Sequence, residues 1–186
     1  MKNLLALALF LLLSGCVASS MYYTADDPSL ATNYKSCHSF GSMLHPIQPD
    51  ERIRTAFTVS VESQTKVKLD FTFFLFPKAT FILLDKNFTV ILPAGEQILL
   101  PIQRVPGGVS YNIPIENGVP IAAPSSFPGE YGWGPIGLFA NFEPGAQLTK
   151  KITLVTPRFQ VNDVIYPSRR LLLHLESRTG LDLCEG

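Results

Sequence analysis

The sequence predicts an all-β domain: an antiparallel β-sandwich of immunoglobulin-like type, with a small β-barrel as the rival arrangement. Three observations carry the prediction. Apolar and polar residues alternate with a period of two through 53–75, as half-buried strands require. Pro-, Gly- and Asn-bearing turn signals recur along the chain, dividing it into about eight to ten short strands. No long stretch carries the 3.6-residue apolar period of an amphipathic helix.

Taken in chain order, the first segment is Met1-Lys2-Asn3 followed by an apolar run from Leu4 to Leu13. A short basic start and about ten apolar residues are the proportions of a signal peptide. The run is well short of the roughly 20 residues that span a bilayer. It ends in Leu13-Ser14-Gly15-Cys16. These four residues resemble the lipobox of bacterial lipoproteins, in which a leucine and two small residues precede the cysteine that becomes the new N-terminus. The resemblance covers the leader alone, and the family of the remainder is not recognised. It implies cleavage before Cys16 and acylation of its thiol, with palmitate-type chains holding the product on a membrane. Each buried methylene contributes about 0.8 kcal/mol, so two or three chains anchor where one does not. Val17 stands where an aspartate in that family often marks inner-membrane retention, which implies the outer membrane in a Gram-negative host.

Residues 17–36, with Ser19, Ser20, Asp26, Asp27, Pro28 and Ser29, read as a flexible tether without sustained periodicity. A single domain is expected over 37–186. Its first strands place Ile53, Thr55, Phe57, Val59 and Val61 on one face, then Val67, Leu69, Phe71, Phe73 and Leu75. Phe74 and Phe76 interrupt the polar face of the second, as a strand covered on both sides at one end would. A hairpin is expected from Phe81–Leu84 through Asp85-Lys86-Asn87 to Phe88–Leu92, and Pro93-Ala94-Gly95-Glu96 marks the next turn. A second hairpin is expected around Glu116-Asn117-Gly118, whose Asn-Gly pair favours a type I′ turn. The prolines nearby belong on edge strands. Residues 122–137 are rich in Pro, Gly, Ser and aromatics, with an ordered irregular loop expected over Phe127–Pro135, and strands follow over 136–142, 148–155, 159–161, 164–166 and 171–175.

Composition narrows the function classes. Without Lys2 the chain has fourteen basic and fifteen acidic side chains, a balance of −1. With no basic run there is no electrostatic footprint for nucleic acid. If Cys16 carries lipid, Cys37 and Cys184 remain, an even number suited to a disulfide in an oxidising compartment. Closing nearly the whole domain, such a bridge contributes about 4–5 kcal/mol in the chain-entropy model. The alternatives are free thiols, or metal ligation with His38, which lacks the spacing of a zinc site.

No catalytic signature stands out. His38, His45 and His174 are scattered, and no G-x-S-x-G, phosphate loop or H-E-x-x-H occurs. His174, in an apolar run, reads as a hydrogen-bonded or solvent-facing strand residue. Glu116, Glu130 and Glu143 lie in or near loops without a mark of pairing. No cofactor or metal is expected. Phe127, Tyr131 and Trp133, set among glycines and prolines, are the candidate partner-binding residues. The competing reading turns Trp133 inward as a plug. These features lead to the expectation of a membrane-attached, non-enzymatic binding or assembly module of the cell envelope, facing the periplasm. A carrier of a small apolar ligand, or an envelope enzyme with an unfamiliar site, is the alternative. Oligomeric state stays open.

Overall fold

The computed structural model describes residues 17–36, 39–47, 53–76, 78–105, 113–114, 118–122, 134–144 and 148–181. These residues form strands and one 3₁₀ turn, Pro28–Leu30, and contain no α-helix. The strands are β1 (Val17–Ala25), β2 (Ala31–Ser36), β3 (Ser39–Leu44), β4 (Ile53–Ser63), β5 (Lys66–Leu75), β6 (Thr80–Leu83), β7 (Asn87–Ile91) and β8 (Gln97–Pro101). They continue as β9 (Gln103–Val105), β10 (Ile113–Pro114), β11 (Ile121–Ala122), β12 (Gly134–Phe142), β13 (Lys151–Val155), β14 (Phe159–Val161), β15 (Val164–Tyr166) and β16 (Arg170–Leu181).

All pairings are antiparallel. The large sheet runs β10-β9-β12-β5-β4-β1-β16-β13-β7-β8, with the β2–β3 hairpin attached through β3 to β4. The small sheet runs β11-β6-β14-β15. Phe57 on β4 and Phe88 on β7 stack at 5.9 Å although three strands separate them in the sheet. The large sheet therefore bends about β1 and β16, and its wings face each other as the layers of a sandwich. The edge strand β8 is joined to β9 by chain through Ile102, not by a ladder, so the sheet is not closed into a barrel.

Alternation in the sequence becomes the core directly. Ile53, Phe57 and Val59 of β4 and Val67, Leu69, Phe71, Phe73 and Leu75 of β5 are buried, because successive side chains of a strand point to opposite faces. Phenylalanines then join the layers. Phe71 meets Phe57 at 4.9 Å and Phe73 at 4.3 Å. Phe73 meets Phe81 and Phe159 of the small sheet, each at 4.7 Å. Such ring pairs add about 0.5–1.5 kcal/mol beyond their buried area.

Several expectations are corrected. The tether is not one: Val17–Ala25 forms the full-length partner of β16 in the middle of the large sheet, and Tyr22 and Tyr23 are buried. Of the polar residues that suggested a tether, Ser19 and Ser20 lie within that strand on opposite faces, and Asp26, Asp27, Pro28 and Ser29 lie in the turn after it, where Asp27 caps Pro28–Leu30 by accepting from the Ser29 N–H. The expected hairpin at Asp85-Lys86-Asn87 does not form. The β6 strand pairs with β14 while β7 pairs with β13, so the chain changes sheets at this turn. The second expected hairpin fails for the same reason: Ile113–Pro114 pairs with β9 and Ile121–Ala122 with β6. At the end of β5, Phe74 is half-buried on the face opposite Phe73 and Leu75, while Phe76, just beyond the strand, is 46% exposed. The turn between β7 and β8 is as expected, with Gly95 at φ +88° and the Leu92 N–H bonded to the Glu96 carbonyl.

Candidate functional site

Cys16, Cys37, Cys184, Phe127, Tyr131 and Trp133 all lie outside the described residues. The structure brings together a different set of polar side chains, on the outer face of β1, β16 and β13. Register does this. Thr24 pairs with His174, and His174 with Lys151, so residues far apart in the chain share one row.

At the centre, His174 Nδ1 lies 2.7 Å from Asp26 Oδ1, and its Nε2 lies 3.4 Å from Glu176 Oε1. Lys151 Nζ reaches Asp26 Oδ2 at 3.1 Å. The Tyr22 hydroxyl donates to Glu176 Oε2 at 2.9 Å, and Arg178 Nε lies 3.4 Å from the same oxygen. Hydrogen bonds from Lys151, and then His174, hold the Asp26 carboxyl below the usual carboxylate range. Burial works against ionisation of Glu176, but Tyr22, His174 and Arg178 outweigh it, so this carboxyl also lies below its ordinary value. Burial, reinforced by Glu176, pushes the Tyr22 phenol up.

A hydrolytic triad needs one ring nitrogen on a carboxylate and the other on a nucleophile. Here both ring nitrogens of His174 face carboxylates. The cluster can fix three strands to one another and present mixed charge, but among the described residues it places no hydroxyl against the imidazole. As expected, His174 is a hydrogen-bonded strand residue. His45 is likewise engaged, 3.0 Å from the Thr32 hydroxyl. Among the described residues no group of three or more His, Cys, Asp or Glu side chains could hold a metal ion.

Two surface grooves are formed by described residues. One, of about 430 Å³, is lined by Leu30, His45, Pro46, Ile47, Tyr166, Arg169, Arg170 and Leu171. The other, of about 300 Å³, runs over Asp85, Lys86, Asn87, Thr89, Leu99, Val155, Thr156, Pro157 and Ser168. Neither draws on the core phenylalanines, which pack on each other.

Sequence reading missed Asp26 and Tyr22 because both were assigned to the tether. The signal was present in Tyr22-Tyr23-Thr24, a run of β-favouring residues. Lys151 and Glu176 become neighbours of His174 only through register, which no local pattern reveals. The chain matches no family model, no curated protein and no solved structure.

Proposed function

We propose that this chain is a lipid-anchored protein of the bacterial cell envelope, held in the outer membrane by acyl chains on Cys16 and acting as a non-enzymatic binding or assembly module. One observation carries the reading: an apolar leader ending in Leu13-Ser14-Gly15-Cys16 abuts a folded strand that begins at the next residue, Val17. Export followed by cleavage before Cys16 would leave the whole described β domain intact. Two or three acyl chains suffice to hold a domain of this size at a membrane.

The non-enzymatic part of the reading is supported by the His174 cluster, which engages both ring nitrogens with carboxylates. Phe127, Tyr131 and Trp133 remain the proposed contact surface for an envelope partner. Export also places Cys37 and Cys184 where a disulfide persists. That bridge is supported from the described side by Phe40. Its N–H donates to Ser20 Oγ at 3.0 Å, and its ring lies 2.7 Å from where a Cβ on Gly180 would stand. The start of β3 and the end of β16, each a few residues from a cysteine, thus lie side by side.

The test is Cys16→Ser in the full-length chain. The wild type should stay with membranes through carbonate washing and carry acyl mass on its N-terminal peptide, while the variant should move to the soluble fraction. A variant that stays membrane-bound sinks the reading.

A further inference from the structure

We infer that the end of the sandwich where β1 begins is seated directly on the headgroup region of the membrane, with the opposite end turned away from it. The inference rests on the lipid-anchor reading and adds an orientation to it.

The argument begins with chain length. One peptide unit, about 3.8 Å between Cα atoms, separates Cys16 from Val17. Val17 is already paired with Leu181 in the ladder that continues to Ala25 and Leu173. No spacer therefore lies between the acylated residue and the sheet. Fraying relieves this little. Ser20 is held by the Phe40 N–H at 3.0 Å, so only Val17, Ala18 and Ser19 can peel away before that bond breaks. Three extended residues reach about 10 Å, which keeps the domain within the headgroup layer.

Topology then fixes which surface meets the lipid. The β1 and β16 strands are antiparallel, so the start of one and the end of the other share an end. The β4–β5 turn lies there too, because Ser60 pairs with Tyr22 and β4 runs three residues further to Ser63. The tip of the β2–β3 hairpin joins them through Phe40 on Gly180. This end presents Tyr34, 41% exposed, and Lys35, whose ammonium lies 5.8 Å from the centre of the Phe40 ring. Tyrosine and lysine, with apolar bodies and polar tips, suit the membrane interface.

The other end of β16 lies about 35 Å away at about 3.3 Å per residue. The groove beside Arg169 and Arg170 is there. So is Gly134, which pairs with Leu75 and follows Trp133 in the chain. The chain therefore re-enters the described sheet at Gly134 on the side remote from the anchor.

The experiment uses the mature lipidated protein in vesicles of phosphatidylethanolamine and phosphatidylglycerol, some carrying a headgroup quencher. A fluorescent amino acid is placed by codon reassignment at Gln64, in the β4–β5 turn, and in a second protein at Ser168, before β16. Vesicle flotation with strong quenching at Gln64 and little at Ser168 is expected. A flexible spacer of about ten Gly and Ser residues between Cys16 and Val17, about 17 Å in root-mean-square length, should reduce the contrast. Flotation with equal quenching at both positions, or more at Ser168, overturns the orientation and leaves the anchor standing. Absence of acyl mass and of flotation defeats the anchor reading, and the orientation with it.

Discussion

Asp85 shows how much one side chain can hold when the chain changes layers. It sits where the chain leaves β6 for β7, and it accepts from the Arg158 backbone N–H at 2.8 Å and from that residue's guanidinium at 2.8–3.2 Å. The Leu84 N–H meanwhile bonds to the Arg158 carbonyl. One carboxylate thus ties the crossover to the link between β13 and β14. Arg158 holds its pKa below the ordinary value. A depressed carboxyl contributes stability that is present above the unfolded-state value, about 3.9, and is lost as pH falls through the folded one. We therefore predict that Asp85→Asn lowers stability by about 0.5–1 kcal/mol at neutral pH, the pair being largely open to solvent. The difference from wild type should narrow as pH drops below about 4. Urea midpoints at several pH values check this; a pH-independent gap would place the cost elsewhere.

At the scale of elements, the β2–β3 hairpin packs closely on β16 where Phe40 meets Gly180. A methyl group on Gly180 would meet the Phe40 ring at 2.7 Å, closer than carbon atoms normally approach. Gly180→Ala should cost about 1–3 kcal/mol, since the ring must shift and the hairpin with it. In a Phe40→Ala background the same substitution should cost almost nothing, and the double-mutant cycle reads that coupling. Equal costs in both backgrounds would place the penalty of Gly180→Ala elsewhere than on the Phe40 ring. The hairpin also marks the limit of what local sequence reveals. Strands with one buried face were legible, because a period of two is written in β4 and β5 residue by residue. The turn at Gly95 was legible because its positive φ favours glycine. Pairing was not legible. Asp85-Lys86-Asn87 and Asn117-Gly118 each carry hairpin chemistry, yet the strands flanking them pair into different sheets. Local turn propensity cannot weigh Phe81 against Phe159 or Phe73, which decide the partner from far along the chain. Val17–Ala25 does not alternate in the sequence because Tyr22, Tyr23, Thr24 and Ala25 are all buried, on both faces of the strand's second half. The same lack of alternation hid Asp26 and Tyr22 from the candidate site.

For the whole molecule, the telling pairing is β1 with β16, which joins Val17 to Leu181 and so closes almost the entire described chain. A non-local ladder at the centre of the main sheet makes folding slow, because loop-closure entropy is lost before the contacts reward it. A Cys37–Cys184 bridge would act on this step. It would restrain the denatured chain so that the hairpin tip beside β1 and the segment after β16 are never far apart, worth about 4–5 kcal/mol in the chain-entropy model. Exported protein, unfolded in urea without reductant, should keep its mass on thiol alkylation and gain two adducts only after reduction. Its refolding should then be several-fold faster than that of the reduced form or of a Cys37→Ser variant. Most of the stability difference should appear in the folding limb, because the ladder the bridge assists is the contact the transition state must close. Equal refolding rates, with the difference confined to unfolding, would mean that β1 docks after the barrier and that the wings of the sandwich assemble first without their central strand.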